Sequence, residues 1–392
     1  MDNSNAKSVS GNAHSVFSFI LPTKIVFGPG SAKCLAEELA KCGGVRPLIV
    51  TDKGVAAAGV LDNALDSLSG DMDYFIFSDV DPNPKDVNVA VGAHAYRSFG
   101  ADSIVAVGGG SPMDCAKAIG VLAANDATDI KAFEGRNKAS KPLPPLICVP
   151  TTSGTGSEVT FSSVITDTRN KYKMTIKNEF TAAKVAICDP ELTLSVPRGV
   201  TAATGIDALT HAVEAYVATC AEPISDAAAL HATELICRSL RAAYGRGDDL
   251  DARCDMMMGS LLAGIAFSHS DVASVHCIAE ALGGMYDLAH GLCNAIFLPY
   301  LMEYNIDYCE DRLARIAVAM GLASGSVREG ASAAVRCVKK LAEDVNLPPF
   351  ASLDVAVSDY RAIASASARN GSNGSNPRPM SEDDYMNILK MA

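Results

Sequence analysis

The stretch TGIDALTHAVEAY (204–216) places Asp207 and His211 four residues apart. Its apolar residues Ile206, Leu209 and Val213, continued by Val217, recur at helical spacing. One turn of helix separates the two polar groups, so carboxylate and imidazole share a face. Such a pair is either a hydrogen-bonded couple or half of a metal site. A second stretch, VHCIAEALGGMYDLAHGLCNA (275–295), carries His276 and His290. The spacing predicts a helix through His276, a break at Gly283-Gly284, and a new segment starting at His290. A hairpin of that kind can fold both rings toward one point. Three imidazoles and a carboxylate suit Fe(II), Zn(II), Mn(II) or Co(II) and do not choose among them. The other histidines, His14, His94, His231 and His269, read as core or surface residues.

A different chemistry is written in IVAVGGGSPMDCAKAIG (104–120), a strand, three glycines and a helix. Glycines let a backbone approach a ligand, and the free N–H groups of a helix start attract phosphate. Ser111 reads as the cap and Pro112 as the first helical residue. Asp114 completes the cap or meets a ribose or substrate. Neither GxGxxG nor a P-loop is present. PTTSGTGSE (150–158) is a second small-residue loop after a strand, with hydroxyls at Thr151, Thr152, Ser153, Thr155 and Ser157. Two such loops at strand ends favour a dinucleotide over a single phosphate. Asp52 ends the strand PLIVTD. It is placed either to hold an adenosine ribose, favouring NAD over NADP, or to cap the next helix.

The elements that must position these groups alternate in the first half. Strands are expected at 24–28, 46–52, 74–80, 102–110 and 145–152, with helices at 31–42, 54–69, 86–99 and 111–124. Strand–helix alternation predicts a parallel α/β sheet. FSFILPTKIVFG (17–28) reads as an N-terminal hairpin. From about residue 199 the chain is Ala-rich with helical periodicity and reads as all-α. RNGSNGSNPRP (369–379) reads as a flexible connector before a last helix.

The 392 residues favour two domains. A net charge of −12 speaks against nucleic acid and anionic membranes as partners. Twelve cysteines without a CxxC pair read as reduced thiols. Residues 1–15 lack the order of a secretion signal, and no apolar run approaches about 18 residues. A cytoplasmic protein is expected.

GGGSPMDCAKAIG, PTTSGTGSEVT, GIDALTHAVEAY and HGLCNAIFLP, in this order, resemble the signatures of the iron-containing (group III) alcohol dehydrogenase family. The resemblance runs from about residue 17 to the NPRP near the C-terminus. It implies a dehydroquinate synthase-like two-domain architecture. Residues 1–197 would form the α/β NAD-binding domain with its N-terminal hairpin. Residues 198–392 would form the helical metal-binding and substrate domain, with metal and substrate in the cleft between. It implies Asp207, His211, His276 and His290 as metal ligands, Fe(II) first among the candidates. It implies Asp52 on the adenosine ribose, Gly108, Gly109, Gly110 and Ser111 on the pyrophosphate, and Thr151, Thr152, Thr155 and Lys173 on ribose or phosphates. Asp114 would lie by the nicotinamide, and Asn83, Ser162, Phe267 and Glu280 would border the substrate. Many members have a second histidine, as HxxxH, where this chain has Glu280. That leaves Glu280 as the candidate proton relay, or as a further group near the metal.

The implied reaction is hydride transfer between NAD(H) and a C2–C4 primary alcohol or aldehyde, such as ethanol, a propanediol or lactaldehyde, or sulfoacetaldehyde. The alternatives are a Zn-dependent polyol dehydrogenase of the same superfamily and a non-catalytic nucleotide-binding protein. The resemblance also implies a homodimer or larger homo-oligomer.

Overall fold

The computed structural model describes residues 16–68 and 72–392. The reading of residues 1–15 and of His14 therefore lies outside the described residues. The chain divides into two units. One comprises Ile20–Arg198 with Arg246–Met257; the other comprises Gly199–Gly245 and Met258–Ala392 with the stretch ending at Phe19.

The first unit is built on a six-stranded sheet, all of whose pairings are parallel. Its strands are β1 (Lys24–Phe27), β2 (Pro47–Val50), β3 (Phe75–Phe77), β4 (Ser103–Gly108), β6 (Leu146–Pro150) and β9 (Val185–Cys188). Their order is β1-β9-β6-β4-β2-β3. A smaller sheet has the order β5-β8-β7, with β5 (Gly135–Arg136), β7 (Ser162–Asp167) and β8 (Tyr172–Lys177). The helices are α1 (Leu35–Lys41), α2 (Lys53–Ala57), α3 (Val60–Leu65), α4 (Asp86–Phe99) and α5 (Gly110–Ala124).

Every residue of β4 is buried, as expected of a strand covered on both faces. Its side chains alternate between two cores. Ile104 and Ala106 join Val89, Ala93, Met113 and Ile119 of α4 and α5. Val105 and Val107 join Leu35, Leu39, Leu61 and Leu65 of α1 and α3. The expected hairpin is absent: residues 16–22 contain no strand, and β1 pairs with β9, some 160 residues on.

The second unit is helical: α6 (Arg198–Val217), α7 (Pro223–Gly245), the later part of α8 (Leu250–Ser270), α9 (Ser274–Tyr286), α10 (His290–Ala319), α11 (Val327–Asp344), α12 (Tyr360–Arg369) and α13 (Glu382–Met391). α6 is buried without interruption from Gly205 to Val217, which makes it a core helix rather than an amphipathic one. Two expectations fail here. Gly283-Gly284 do not break a helix: α9 runs through them and ends at Asp287, whose φ is 55°. The 369–379 segment contains a 3₁₀ turn, Gly371–Ser375, tied down by its asparagines. Among the described residues no single helix is long and apolar enough to cross a membrane.

Candidate active site

In the second unit Asp207, His211, His276 and His290 come together. One ligand atom from each lies within 4.8 Å of all the others. α6 contributes Asp207 and His211, α9 contributes His276, and α10 opens with His290. The close approach of α10 to α6 depends on Gly291. A Cβ there would stand 3.2 Å from both the Ala203 carbonyl oxygen and the Asp207 Cβ. The rings are tilted rather than stacked, with interplanar angles of 45° (His211–His276), 46° (His211–His290) and 58° (His276–His290). Tilted rings can direct nitrogens at a shared point. Phe267 stacks on His211 at 4.5 Å and 20°, covering that ring with an apolar face.

Two residues absent from the sequence reading complete the surroundings. Glu214, three residues after His211, is buried and accepts from His276 Nδ1 at 2.5 Å. Asn294, one turn after His290, brings its Nδ2 to 2.7 Å from Asp207 Oδ1. The same nitrogen lies 3.0 Å from His276 Nε2 and 3.1 Å from His290 Nε2. Helical spacing from the candidate ligands is the available signal for both. Burial opposes charge on the His276 ring, but the Glu214 bond and the nearby Asp207 and Glu280 outweigh it and raise its proton affinity. The donor set, a carboxylate and three imidazoles of which all but the half-buried His290 are buried, fits a divalent transition metal.

Glu280 lies one turn beyond His276, and its Oε2 accepts from Asn370 Nδ2 at 2.6 Å. The supposed connector thus holds the candidate relay. Asn370 in turn caps its own turn through Ser372 N–H.

The nucleotide candidates gather in the first unit, at the carboxyl ends of β2, β4 and β6, neighbours in the sheet. Asp52 is the cap of α2, accepting from Val55 N–H at 2.9 Å through Oδ1. Gly108 ends β4 at φ 151°, and its carbonyl accepts from Thr151 N–H at 2.9 Å. Ser111 is not the cap of α5. Gly109, extended and without a side chain, takes that place, the helix starts at Gly110, and no side chain caps it. The glycines also let the two loops meet. A Cβ on Gly109 would lie 3.1 Å from Thr152 Oγ1, and one on Gly110 would lie 2.7 Å from Thr155 Cγ2. The uncapped first turn, beside threonine hydroxyls, fits a pyrophosphate.

Asp114 does not cap the helix. Its Oδ1 accepts from the Ser157 hydroxyl at 2.8 Å and its Oδ2 from Val164 N–H at 3.0 Å. Burial pushes its carboxyl up, with Lys117, Val164 and Ser157 opposing. Lys117, one turn on, was not singled out from the sequence. It is fully buried, and its Nζ lies 2.7–3.1 Å from five oxygens: the carbonyls of Ser157, Thr160 and Ser162 and the hydroxyls of Ser157 and Thr160. Asp114 and Lys117 therefore clamp the 157–164 segment onto α5. Lys173 donates to Asn83 Oδ1 at 2.7 Å, and Asn83 holds a left-handed φ of 52°. Asn83 and Ser162 belong to the first unit, Phe267 and Glu280 to the second.

A helical unit gathering three histidines and an aspartate, and a parallel sheet whose loops could cradle a dinucleotide, are parts that a metal-dependent dehydrogenase needs. The family model for iron-containing alcohol dehydrogenase matches residues 22–190, and that for the family's C-terminal part matches residues 201–392. The chain belongs to the iron-containing alcohol dehydrogenase family and is an NAD-dependent alcohol dehydrogenase/aldehyde reductase. It is 40% identical to the 1,3-propanediol dehydrogenase of Citrobacter freundii over 97% of this chain and 100% of that protein. It is 36% identical to the NAD-dependent methanol dehydrogenase of Bacillus methanolicus over 95% of this chain and 99% of that one. The crystal structure of a 1,3-propanediol oxidoreductase superposes with a TM-score of 0.93 at 40% identity, covering 96% of this chain and 100% of that chain.

Proposed function

We propose that the protein interconverts short-chain (C2–C4) primary alcohols and aldehydes, with a three-carbon diol or its hydroxyaldehyde first among the substrates. The observation that carries the metal-dependent reading is the convergence of Asp207, His211, His276 and His290 within 4.8 Å. A divalent metal held by them supplies Lewis acidity toward an alcohol or carbonyl oxygen, and NAD(H) supplies or accepts the hydride.

The chain's own residues do the rest. Gly109–Ser111 and Thr151, Thr152 and Thr155 hold the pyrophosphate and ribose region, and Asp52 accepts from the adenosine ribose through its Oδ2. Lys173, on Asn83, reaches a ribose or phosphate oxygen. Asp114 orients the 157–164 segment beside the nicotinamide. Phe267 keeps water from the His211 side of the metal group, and Glu280, steadied by Asn370, accepts or returns the substrate proton. On this reading residues 1–197 carry the nucleotide and 198–392 the metal and substrate. A homo-oligomer in the cytoplasm is part of the same proposal.

NADH oxidation by chelator-stripped protein tests the reading, with C2–C4 aldehydes offered before and after anaerobic Fe(II). Activity restored by Fe(II) and greatest with 3-hydroxypropanal is expected. Full activity without metal would reject the ligand group. Restoration by Zn(II) alone, with glycerol preferred, would favour the polyol dehydrogenase. NADH binding with no turnover under any metal would leave a nucleotide-binding protein.

A further inference from the structure

We infer that Glu214 is the positioning residue of the metal group: it fixes the ring and tautomer of His276 and sets the start of α9 against α6. The inference rests on the proposed reading of the four ligands.

Three donors converge on this one buried carboxylate. Ala273 N–H reaches Oε2 at 3.0 Å, Val275 N–H reaches Oε1 at 2.7 Å, and His276 Nδ1 reaches Oε2 at 2.5 Å. An ionised carboxylate only accepts, so Nδ1 must carry the hydrogen, and in the neutral ring Nε2 then holds the lone pair. Asn294 gives an independent sign of the same tautomer, since its Nδ2, a donor, faces His276 Nε2 at 3.0 Å. Nε2 is thus the atom available to a metal.

The two backbone bonds tie the first turn of α9 to the same carboxylate. The chain enters that turn from a break at Asp271, whose φ of 67° is left-handed. α8 and α9 are bent by 100° across the break, so nothing in helix continuity sets the direction of α9. Packing on α10 and α12 orients its body, and Glu214 ties its first turn to α6, the helix that already carries Asp207 and His211. One rigid helix therefore holds two ligands and the group that aims the third. An outer carboxylate of this kind affects metal affinity by about 10- to 100-fold.

The rival explanation is a buried brace that holds α9 without acting through the imidazole. A double-mutant cycle separates the two. Apparent Kd values for Zn(II) and Co(II), by chelator competition on metal-free protein, would be measured for wild type, E214A, E214Q, H276A and E214A/H276A. E214A is expected to weaken binding about 10- to 100-fold. E214Q should lose less, since its amide oxygen can still accept from Ala273 and His276 while its NH2 faces Val275 N–H. In the H276A background E214A should add little, and NADH affinity should not change. The Co(II) absorption bands should shift in E214Q, where the protein stays folded, so the idea remains testable if E214A does not fold. Wild-type affinity in both Glu214 variants would overturn the inference. So would an E214A loss undiminished in H276A, which would leave a brace. Failure of the wild type itself to take up either metal would instead defeat the four-ligand reading and Glu214's role with it.

Discussion

The side-chain amide of Asn294 stands against Asp207, 2.7 Å from its Oδ1, while also facing His276 Nε2 and His290 Nε2. One NH2 group has two hydrogens, and here it faces a carboxylate oxygen and two ring nitrogens that accept in the Nδ1–H tautomer. Asn294 Oδ1 is buried with no hydrogen-bond partner among the described residues. The amide thus draws together groups that a metal would otherwise hold. N294L, similar in size and without polarity, should leave the Asp207 carboxylate short of a donor. The metal-free protein should lose about 1–3 kcal/mol, and saturating Zn(II) should restore part of it. Thermal melts with and without Zn(II) measure this. Equal melting of metal-free N294L and wild type would show that the amide contributes nothing.

Asp52 invites a cleaner substitution than most site residues. Among the described residues its side chain makes one cap bond, to Val55 N–H, and glycine replaces an Asp cap at a cost of only a few tenths of a kcal/mol. D52G should therefore fold normally. With the carboxylate gone, the site should no longer repel a 2′-phosphate. The NADH-over-NADPH ratio of kcat/KM should fall at least tenfold. An unchanged ratio would make Asp52 a helix cap and no more.

Much of this was legible in sequence because the signals are local. Asp207 and His211 announce their shared face by spacing alone, and the buried run of β4 announces a covered strand. What failed was non-local. β1 finds β9 across most of the first unit, and nothing in FSFILPTKIVFG records that pairing. Gly283-Gly284 look like a helix end because glycine costs about 1 kcal/mol in a helix. Gly283 is buried in α9, and packing outweighs propensity. Ser-Pro reads as a good helix start with Ser111 as the cap, yet α5 begins at Gly110, where small residues let Thr155 approach. RNGSNGSNPRP has the composition of a linker. Its asparagines are spent on Glu280, Met380 and Asn305 instead, and composition cannot show where a side-chain amide is used.

Lys117 holds the end of the second candidate cradle loop through Ser157 and Thr160. Five oxygens surround three hydrogens, so its removal strands several acceptors at once. K117M should loosen 157–164 and weaken NADH binding by at least tenfold. Zn(II) affinity, which belongs to residues of the other unit, should stay within twofold. NADH fluorescence titration beside metal competition reads both. An equal loss in the two assays would mean general unfolding rather than a loosened cradle.

Glu158 supplies a pH dependence with a definite sign. It is buried, and burial pushes its carboxyl up to about 7 from 4.5, with its own backbone N–H and Lys117 opposing. A carboxyl raised on folding leaves the folded state fully favoured below pH 4.5, where both states hold the proton. That advantage is lost as pH rises toward about 7, where the folded chain must bury the charge. The loss is about 3 kcal/mol at most. E158Q keeps the shape and cannot ionise. Its melting temperature should match the wild type near pH 5 and exceed it by a few degrees near pH 8. The comparison is made on metal-free protein, so that metal-linked protons do not enter. Parallel curves for the two proteins from pH 5 to 8 would show that Glu158 does not titrate there. A stability difference that grows with pH would identify it as the group responsible, a few residues from the threonines of the nucleotide cradle.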